Sequence, residues 1–366
     1  MTLHLKKAPQ RILIIRLSAI GDIIMASSVL PALRQQWPEA EVHWLTEELG
    51  AEILEEHPHL KKVWIWPRRQ WKKWAQEHKY LTLLRETLRW RKALREQKFD
   101  LVLDLQGLLK SAAFAWISGA RNRIGLRSRE GSARLMTHVV PDNPDEPGPF
   151  CREYRNMVAA LGIDPDLARV DVYPTAKARK EAELLLAGDG SKAPILLFPF
   201  TTRPQKHWFS ERWAELAHWL AAGFERPIWI LGGPNDLDAA EAIAAASNSP
   251  LVNVRAGWDS NLQEKIGVVS QAALAVGVDT GLTHLAVGLQ VPTVVLFGST
   301  CGYLRTDPAL GIVLYDHLDC SPCRRHPTCD DRFDCMRAFS VSRVGKAAED
   351  LWNRTQGPSG ASKKQA

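Results

Sequence analysis

Two polar segments in the second half of the chain carry residue types that suit diphosphate binding. In one of them, an apolar run at 274–278 stops at Asp279, Thr280 and Gly281, and apolar residues with helical spacing follow. A strand that turns directly into a helix places the first helical N–H groups at the carboxyl edge of a sheet, where they and the helix dipole favour an anion. The segment therefore predicts a phosphate site, with His284 as a further contact. The alternative is an ordinary helix start capped by Asp279 and Thr280.

The second segment lies earlier in the chain and contains Thr201, Thr202 and Lys206. It follows an apolar run that reads as a strand, and it precedes a helix that begins at Ser210. Two hydroxyls and an ammonium can give a diphosphate short hydrogen bonds and positive charge, which is the electrostatic work of a metal ion. Alone, the pattern also fits a capped turn. Together with the helix start in the same predicted sheet, it predicts a two-sided diphosphate clamp that requires no cofactor.

A third chemical group is the carboxylate of Asp22. It follows the apolar run 11–17 and a glycine turn, and a predicted helix begins beside it. A carboxylate at the end of a first strand is placed to act as a general base toward a hydroxyl. The alternative is that Asp22 only complements the dipole of the helix that it opens.

The net charge of +6 is unevenly distributed. Residues 61–98 contain thirteen Lys or Arg against three Glu, together with five of the fourteen tryptophans. Such a segment suits nucleic acid, an anionic membrane face or a polyanionic small molecule. A solvated helix face is the alternative, and the aromatic residues among the cations favour a binding surface.

Four of the six cysteines fall within one loop, at Cys320, Cys323, Cys329 and Cys335. Four thiolates are enough ligands for a structural zinc ion or an iron–sulfur cluster, although the spacing matches neither standard pattern. Free thiols or, in an oxidising preparation, disulfides are the alternatives.

Strands and helices alternate twice along the chain, and 366 residues are enough for two packed domains. This predicts an α/β protein with two doubly wound units facing a cleft. The predicted domains are 1–175 and 176–340, the second with the cysteine-rich loop 320–335, followed by a helix at 341–355 and a disordered tail at 356–366. The boundary between the two domains is expected within 173–191, where proline and glycine interrupt the pattern.

The sequence contains no run of eighteen apolar residues, and its first ten residues lack the apolar core of a signal peptide. These features predict a cytoplasmic protein whose cysteines are kept reduced.

Four stretches resemble the heptosyltransferases of glycosyltransferase family 9. They run in order between about 11 and 338 and read RILIIRLSAIGDIIMASSVLPALR, DLVLDLQGLLKSAAFAW, FPFTTRPQKHW with the following SERWAEL, and GVDTGLTHLAVGLQVPTVVLFG. The resemblance implies a GT-B fold, with two Rossmann-like domains and the donor site in the C-terminal one. It also implies an inverting, metal-independent transfer of heptose from ADP-L-glycero-D-manno-heptose to the Kdo region of the lipopolysaccharide inner core. The basic, tryptophan-rich segment is closer to the type I enzymes than to type II.

The resemblance also implies roles for individual residues, with Asp22 as the catalytic base. The implied donor-binding residues are Thr201, Thr202, Lys206, Asp279, Thr280, Gly281, His284 and, for the ribose, Asn235 or Asp236. The turn before Asp236 lacks the glutamate typical of the family, which leaves the ribose contact open. The implied acceptor-binding residues are Arg68, Arg69, Lys72, Lys73, Lys110 and Ser111.

The partners that follow are an ADP-heptose donor and a lipid A–Kdo acceptor glycolipid. The protein is expected to be a monomer that binds no nucleic acid and docks peripherally on the cytoplasmic face of the inner membrane through its N-terminal basic face. Two other functions are open: a nucleotide-sugar epimerase of GT-B fold, and a non-enzymatic protein that binds RNA or anionic lipid. Asp22 and the two diphosphate segments argue against the non-enzymatic protein.

Overall fold

The computed structural model describes residues 5, 7–126, 130–141, 152–188, 192–300, 309–323 and 326–356. The described residues divide into two compact units, the first ending at Tyr173 and the second beginning at Pro174. The predicted disordered tail lies outside the described residues from 357 onward. No helix in the described part of the chain is both long enough and apolar enough to cross a bilayer.

The first unit is built on a parallel six-stranded sheet with the order β3-β2-β1-β4-β5-β6. Its strands are β1 (Arg11–Ile15), β2 (Glu41–Glu47), β3 (Lys62–Trp66), β4 (Leu101–Asp104), β5 (Asn122–Leu126) and β6 (His138–Val140). Its α-helices are α1 (Ile20–Ala26), α2 (Val29–Gln36), α3 (Glu48–Ile53), α4 (Arg68–Gln76), α5 (Tyr80–Glu96), α6 (Leu109–Ile117) and α7 (Arg152–Ala160). The central strand β1 is buried on both faces from Ile12 to Ile15, which explains its continuous apolar run.

The second unit repeats this plan with the order β12-β11-β10-β7-β8-β9. Its strands are β7 (Ile195–Phe198), β8 (Ile228–Ile230), β9 (Val252–Val254), β10 (Leu274–Val278), β11 (Thr293–Phe297) and β12 (Gly311–Tyr315). Its α-helices are α8 (Ala176–Gly188), α9 (Ser210–Phe224), α10 (Leu237–Ser247), α11 (Leu262–Ser270), α12 (Gly281–Gly288), α13 (Asp334–Arg337) and α14 (Val341–Gln356). The predicted α/β class is confirmed, because both sheets are parallel throughout and helices connect their strands.

Some local features were not expected from the sequence. The helix predicted beside Asp22 is short, because the chain breaks between α1 and α2 at Ser27, whose hydroxyl donates to the Ile24 carbonyl at 2.6 Å. The two units divide at Tyr173 and Pro174, and the rest of the window 173–191 contains helix α8. The short helix α4 was not anticipated, because six of its nine residues are charged or amide side chains, although Trp71, Trp74 and Ala75 have helical spacing.

Candidate active site

The carboxylate of Asp22 is held at the end of β1, in the first turn of α1. Its Oδ2 lies 2.7 Å from Arg16 Nη2 and accepts the Ala19 N–H at 3.2 Å. The second contact is the helix-capping role. The side chain of Asp22 nevertheless keeps 39% of its surface exposed, so part of the carboxylate remains open to a reactant.

Arg16 is a positioning residue that the sequence reasoning did not identify. Its guanidinium is mostly buried, and Nη1 donates to the Leu105 carbonyl at 2.7 Å. Burial alone would lower the pKa of Arg16, but the charges of Tyr154 and Asp22 raise it above its ordinary value. Arg16 therefore carries its positive charge beside the Asp22 carboxylate. An arginine at the end of an otherwise apolar strand was the signal in the sequence.

Asp104, at the end of β4, is the buried acid of the first unit. Its Oδ1 accepts the N–H groups of Gln106 at 3.0 Å and Gly107 at 3.1 Å, and its Oδ2 lies 3.0 Å from the Ser111 hydroxyl. Burial raises the pKa of Asp104 despite these hydrogen bonds. Ser111, an implied acceptor-binding residue, is fully buried, and its hydroxyl also lies 2.8 Å from the Leu108 carbonyl. The structure thus gives Ser111 a contact inside the fold.

Glu47, at the end of β2, forms ion pairs with two of the implied acceptor-binding cations. Its carboxylate lies 3.1 Å from Lys110 Nζ and 3.2 Å from Arg68 Nη1. Strands β1 to β4 are parallel neighbours in one sheet, so their carboxyl ends bring Asp22, Glu47, Arg68 and Lys110 to the same edge.

The remaining implied acceptor-binding cations lie on α4, and all three are exposed. Arg69 and Lys72 present their charges to solvent, while Lys73 Nζ lies 3.9 Å from Glu77. An exposed pair of this kind is worth little and leaves the lysine available. The α4 cations therefore form a positive surface rather than a closed ion-pair network.

In the second unit, Asp279 at the end of β10 is the hub of the predicted diphosphate segments. Its carboxylate is in contact with Lys206 Nζ, accepts the Thr300 hydroxyl at 2.7 Å and lies 3.1 Å from His284 Nε2. The Thr201 hydroxyl donates to the Asp279 backbone carbonyl at 3.3 Å. Strands β7 and β10 are direct neighbours, which is why two segments distant in sequence meet. Thr300 was missed because only the fold brings it here.

The electrostatics of this hub follow from its burial. Burial alone would raise the pKa of Asp279, but the hydrogen bond and charge of His284 and the ammonium of Lys206 hold it well below its ordinary value. Asp279 is therefore ionised and neutralises much of the Lys206 charge. The residual positive potential comes from the N–H groups that begin α12.

The start of α12 is open to a ligand. A Cβ built on Gly281 would meet no heavy atom within 4 Å in the described part of the chain. Thr280 occupies the N-cap position, yet its side chain makes no capping hydrogen bond. The hydroxyl of Thr202 is on an exposed residue. The start of α12 thus lacks the side-chain cap of an ordinary helix start, and there is open space at Gly281.

Asp236 closes its own turn after β8. Its Oδ2 accepts the Gly233 N–H at 2.7 Å, and its side chain packs over Gly232. The second oxygen of this carboxylate is the part that a ribose could reach. Asn235 is exposed in the same turn.

Four of the five tryptophans of the basic segment, Trp64, Trp66, Trp71 and Trp90, pack against the core. Trp66 and Trp90 pack on Phe114 with ring centroids 5.2 Å and 5.6 Å apart, and Trp64 lies 6.1 Å from Trp90. Core packing accounts for these four tryptophans, so they do not support a binding surface at this segment, which stays a prediction. The lysines and arginines, by contrast, are mostly exposed.

The four loop cysteines are free thiols, with Cys329 and Cys335 buried. Burial and then the neighbouring cysteines raise the pKa of Cys335 to about 11, and burial likewise raises the pKa of Cys323. Among the described residues, no three of the sulfurs lie within 4.8 Å of one another. The four thiols are therefore neighbours, and a metal site at this loop stays a prediction.

His57, His59 and Asp171 do converge, with ligand atoms within 4.8 Å. His57 Nδ1 accepts the His59 N–H at 3.2 Å, and His57 Nε2 lies 3.2 Å from the Asp171 carbonyl. His59 Nδ1 lies 2.9 Å from Asp171 Oδ2. Both nitrogens of His57 are thus engaged, and we read the group as a hydrogen-bonded anchor for the end of the first unit.

Two six-stranded parallel sheets, each with polar groups at the strand carboxyl ends, have the GT-B architecture of glycosyltransferases. A glycosyltransferase family 9 structure from Veillonella parvula DSM 2008 aligns with a TM-score of 0.78 at 20% identity, covering 96% of this chain and 99% of that one. The Escherichia coli heptosyltransferase WaaC, solved with ADP-2-deoxy-2-fluoro heptose, aligns with a TM-score of 0.66 at 23% identity, covering 93% of this chain and 99% of that one.

The family is shown by sequence. The family model described as glycosyltransferase family 9 (heptosyltransferase) matches residues 87–331. Lipopolysaccharide heptosyltransferase 1 of Pseudomonas aeruginosa is 31% identical over 343 residues, which cover 89% of this chain and 92% of that protein. The chain belongs to glycosyltransferase family 9, and it is a glycosyltransferase.

Proposed function

We propose that this enzyme transfers heptose from ADP-L-glycero-D-manno-heptose to the Kdo region of the lipopolysaccharide inner core, as a type I heptosyltransferase. The similarity to lipopolysaccharide heptosyltransferase 1 over most of both chains supports the substrate pair. The observation that carries the chemistry is the cluster around Asp279, which gathers Thr201, Lys206 and His284 beside the open start of α12.

The donor diphosphate occupies the open start of α12 in this proposal. When the bond from the anomeric carbon to the diphosphate breaks, negative charge grows on the departing ADP. The first N–H groups of α12, the Thr280 and Thr202 hydroxyls and the ammonium of Lys206 stabilise that charge where it develops. Lys206 is held in place by Asp279 and keeps N–H donors for the phosphate. These groups supply the charge stabilisation without a divalent metal ion.

Asp22 is the general base. Its carboxylate takes the proton of the acceptor hydroxyl as the new bond from oxygen to the anomeric carbon forms and ADP leaves with the bonding electrons. A single displacement from the face opposite the leaving group inverts the anomeric centre. Arg16 holds the Asp22 carboxylate in position through their ion pair. Such base catalysis contributes about a hundredfold to ten-thousandfold in rate.

The acceptor's carboxylates and phosphates bind the cations at the edge of the first sheet. Arg68 and Lys110 are fixed by Glu47, while Arg69, Lys72 and Lys73 offer exposed charges on α4. Fixing two cations on one carboxylate limits their motion, which favours a defined orientation of the acceptor. We leave Ser111 out of the acceptor contacts, because its hydroxyl is buried and already bonded.

The test measures ADP release from ADP-heptose with and without a Kdo-lipid acceptor, for the native protein and for Asp22→Asn. We expect release only with acceptor, and a loss of turnover in Asp22→Asn with donor affinity retained. Glu39→Gln, an exposed acid of the same unit, is the matched control and should keep native turnover. Native activity in Asp22→Asn would refute the base assignment. Conversion of the donor sugar without acceptor would identify an epimerase instead.

A further inference from the structure

The solvent face of α5 is unusual because it presents large apolar side chains. Leu81, Leu84 and Leu88 are 84%, 57% and 51% exposed, and Tyr80 beside them is 62% exposed. Their spacing of three and four residues places the three leucines on one side of the helix. The opposite side of α5 faces the core through Trp90 and Leu94. A contiguous exposed stripe of this kind indicates an interaction surface.

Positive charge borders the leucine stripe. Arg85, Arg89, Arg91 and Lys92 on the same helix are all exposed. Two of these cations form ion pairs, and both pairs are long: Glu86 lies 3.7 Å from Arg89, and Glu96 lies 4.0 Å from Lys92. The exposed side chains of α4 described above are also positively charged. The surface is therefore apolar along its centre and cationic at its borders.

We propose that this face of α5 is a membrane-docking surface that seats on a bilayer containing anionic lipids. Leu81, Leu84 and Leu88 enter the boundary between headgroups and acyl chains, and Arg85, Arg89, Arg91 and Lys92 pair with anionic headgroups. Helices with an apolar face and cationic flanks bind bilayer surfaces in this manner. The inference rests on the proposed function in one respect, since docking would bring the basic α4 to a lipid-anchored acceptor.

The structure favours a bilayer over RNA as the occupant. Single-stranded nucleic acid binds through aromatic rings on which bases stack. Four of the five tryptophans of this segment, Trp64, Trp66, Trp71 and Trp90, pack against the core instead. The exposed face of α5 offers three leucines and one aromatic ring, that of Tyr80, and leucine side chains suit acyl chains.

The experiment compares sedimentation of the protein with vesicles of phosphatidylcholine, with and without phosphatidylglycerol. We expect binding to the anionic vesicles that weakens as salt is added. The triple variant Leu81→Gln/Leu84→Gln/Leu88→Gln should bind them roughly tenfold to hundredfold more weakly. The double variant Arg85→Gln/Arg91→Gln should bind more weakly than the native protein mainly at low salt, where charges are screened least. Leu184→Gln, an exposed leucine on α8, is the matched control and should bind as the native protein does.

Turnover separates this inference from the proposed function. With an acceptor stripped of its acyl chains, the triple variant should keep native kcat and KM, whereas with vesicle-embedded acceptor its KM should rise. Absence of turnover by the native protein on both acceptors would sink the proposed function and leave the vesicle result standing. Native vesicle binding by the triple variant would overturn the docking surface. Self-association of the native protein, or its binding to RNA oligonucleotides, would also overturn the docking surface if the triple variant, and not the control, abolished it.

Discussion

Replacement of Lys206 by methionine tests the Asp279 cluster most directly. The Lys206 and Asp279 side chains are only 16% and 5% exposed, so their ion pair is screened little by solvent. Removal of one partner of a buried pair costs about 3–5 kcal/mol, because the other charge is left uncompensated. Asp279 keeps two other contacts, the Thr300 hydroxyl at 2.7 Å and His284 at 3.1 Å. These retain part of the stabilisation, and we expect Lys206→Met to lower the unfolding free energy by about 2–3 kcal/mol.

Catalysis should respond differently from stability. In Lys206→Met the diphosphate loses its only ammonium in this cluster, and we expect kcat to fall about a hundredfold to a thousandfold. In Lys206→Met/Asp279→Asn no buried charge is left uncompensated, so stability should recover by about 1–2 kcal/mol relative to Lys206→Met. Activity should not recover, because the ammonium is still missing. The double variant thus separates the structural role of Lys206 from its role toward the donor.

The assay is urea unfolding of the native protein, both single variants and the double variant, with donor turnover measured on the same preparations. Lys177→Met is the matched control, because Lys177 pairs with Glu181 at 3.7 Å on an exposed face of α8. Its loss should cost less than about 0.5 kcal/mol. Additive losses in the double variant, or a Lys206→Met variant as stable as the native protein, would refute the buried pair.

Three further changes test other parts of the site. Gly281→Ala should fold normally, because a Cβ there meets no atom within 4 Å, yet it should raise the donor KM about tenfold by filling the space over α12. Arg16→Met should lower kcat and leave the donor KM unchanged, with partial rescue by Arg16→Lys, because Arg16 positions Asp22. Asp104→Asn should grow more stable relative to the native protein as pH rises. In the folded protein the pKa of Asp104 lies above its ordinary 3.8. The native protein therefore loses stability as the pH rises from about 4, where the unfolded chain releases this proton, through the folded pKa. Urea unfolding midpoints measured against pH test this.

The sequence predicted the elements that are bounded by strong local signals. Strand β10 was expected at 274–278, and the structure has these bounds. A short continuous apolar run that ends at a polar turn is typical of a buried parallel strand. Helix α4 was missed although Trp71, Trp74 and Ala75 have helical spacing, because its segment was interpreted through its charge. Helix α8 was missed because the glycine at its end was interpreted as an interruption of the strand and helix pattern.

The partnerships within the site were beyond sequence reasoning. Lys206 and Asp279 were each singled out, but their ion pair depends on β7 lying beside β10 in the sheet order. The role of Thr300 depends on the same sheet, and that of Glu47 depends on strand β2 ending beside β1. The ion pair of Arg16 could have been predicted, because a charged residue that follows a buried strand requires a partner.

The basic segment illustrates why composition does not assign a surface. The tryptophans among the cations suggested binding, yet Trp64 and Trp66 are buried while Leu81 and Leu84 are exposed. A helix has two faces, and the count of a residue type does not say which face carries it. Trp66→Ala would therefore leave a cavity beside Phe114, and the resulting unfolding could be mistaken for lost binding. Substitution of Leu81 removes no packing from the core, so a loss of binding in that variant would report on the surface itself.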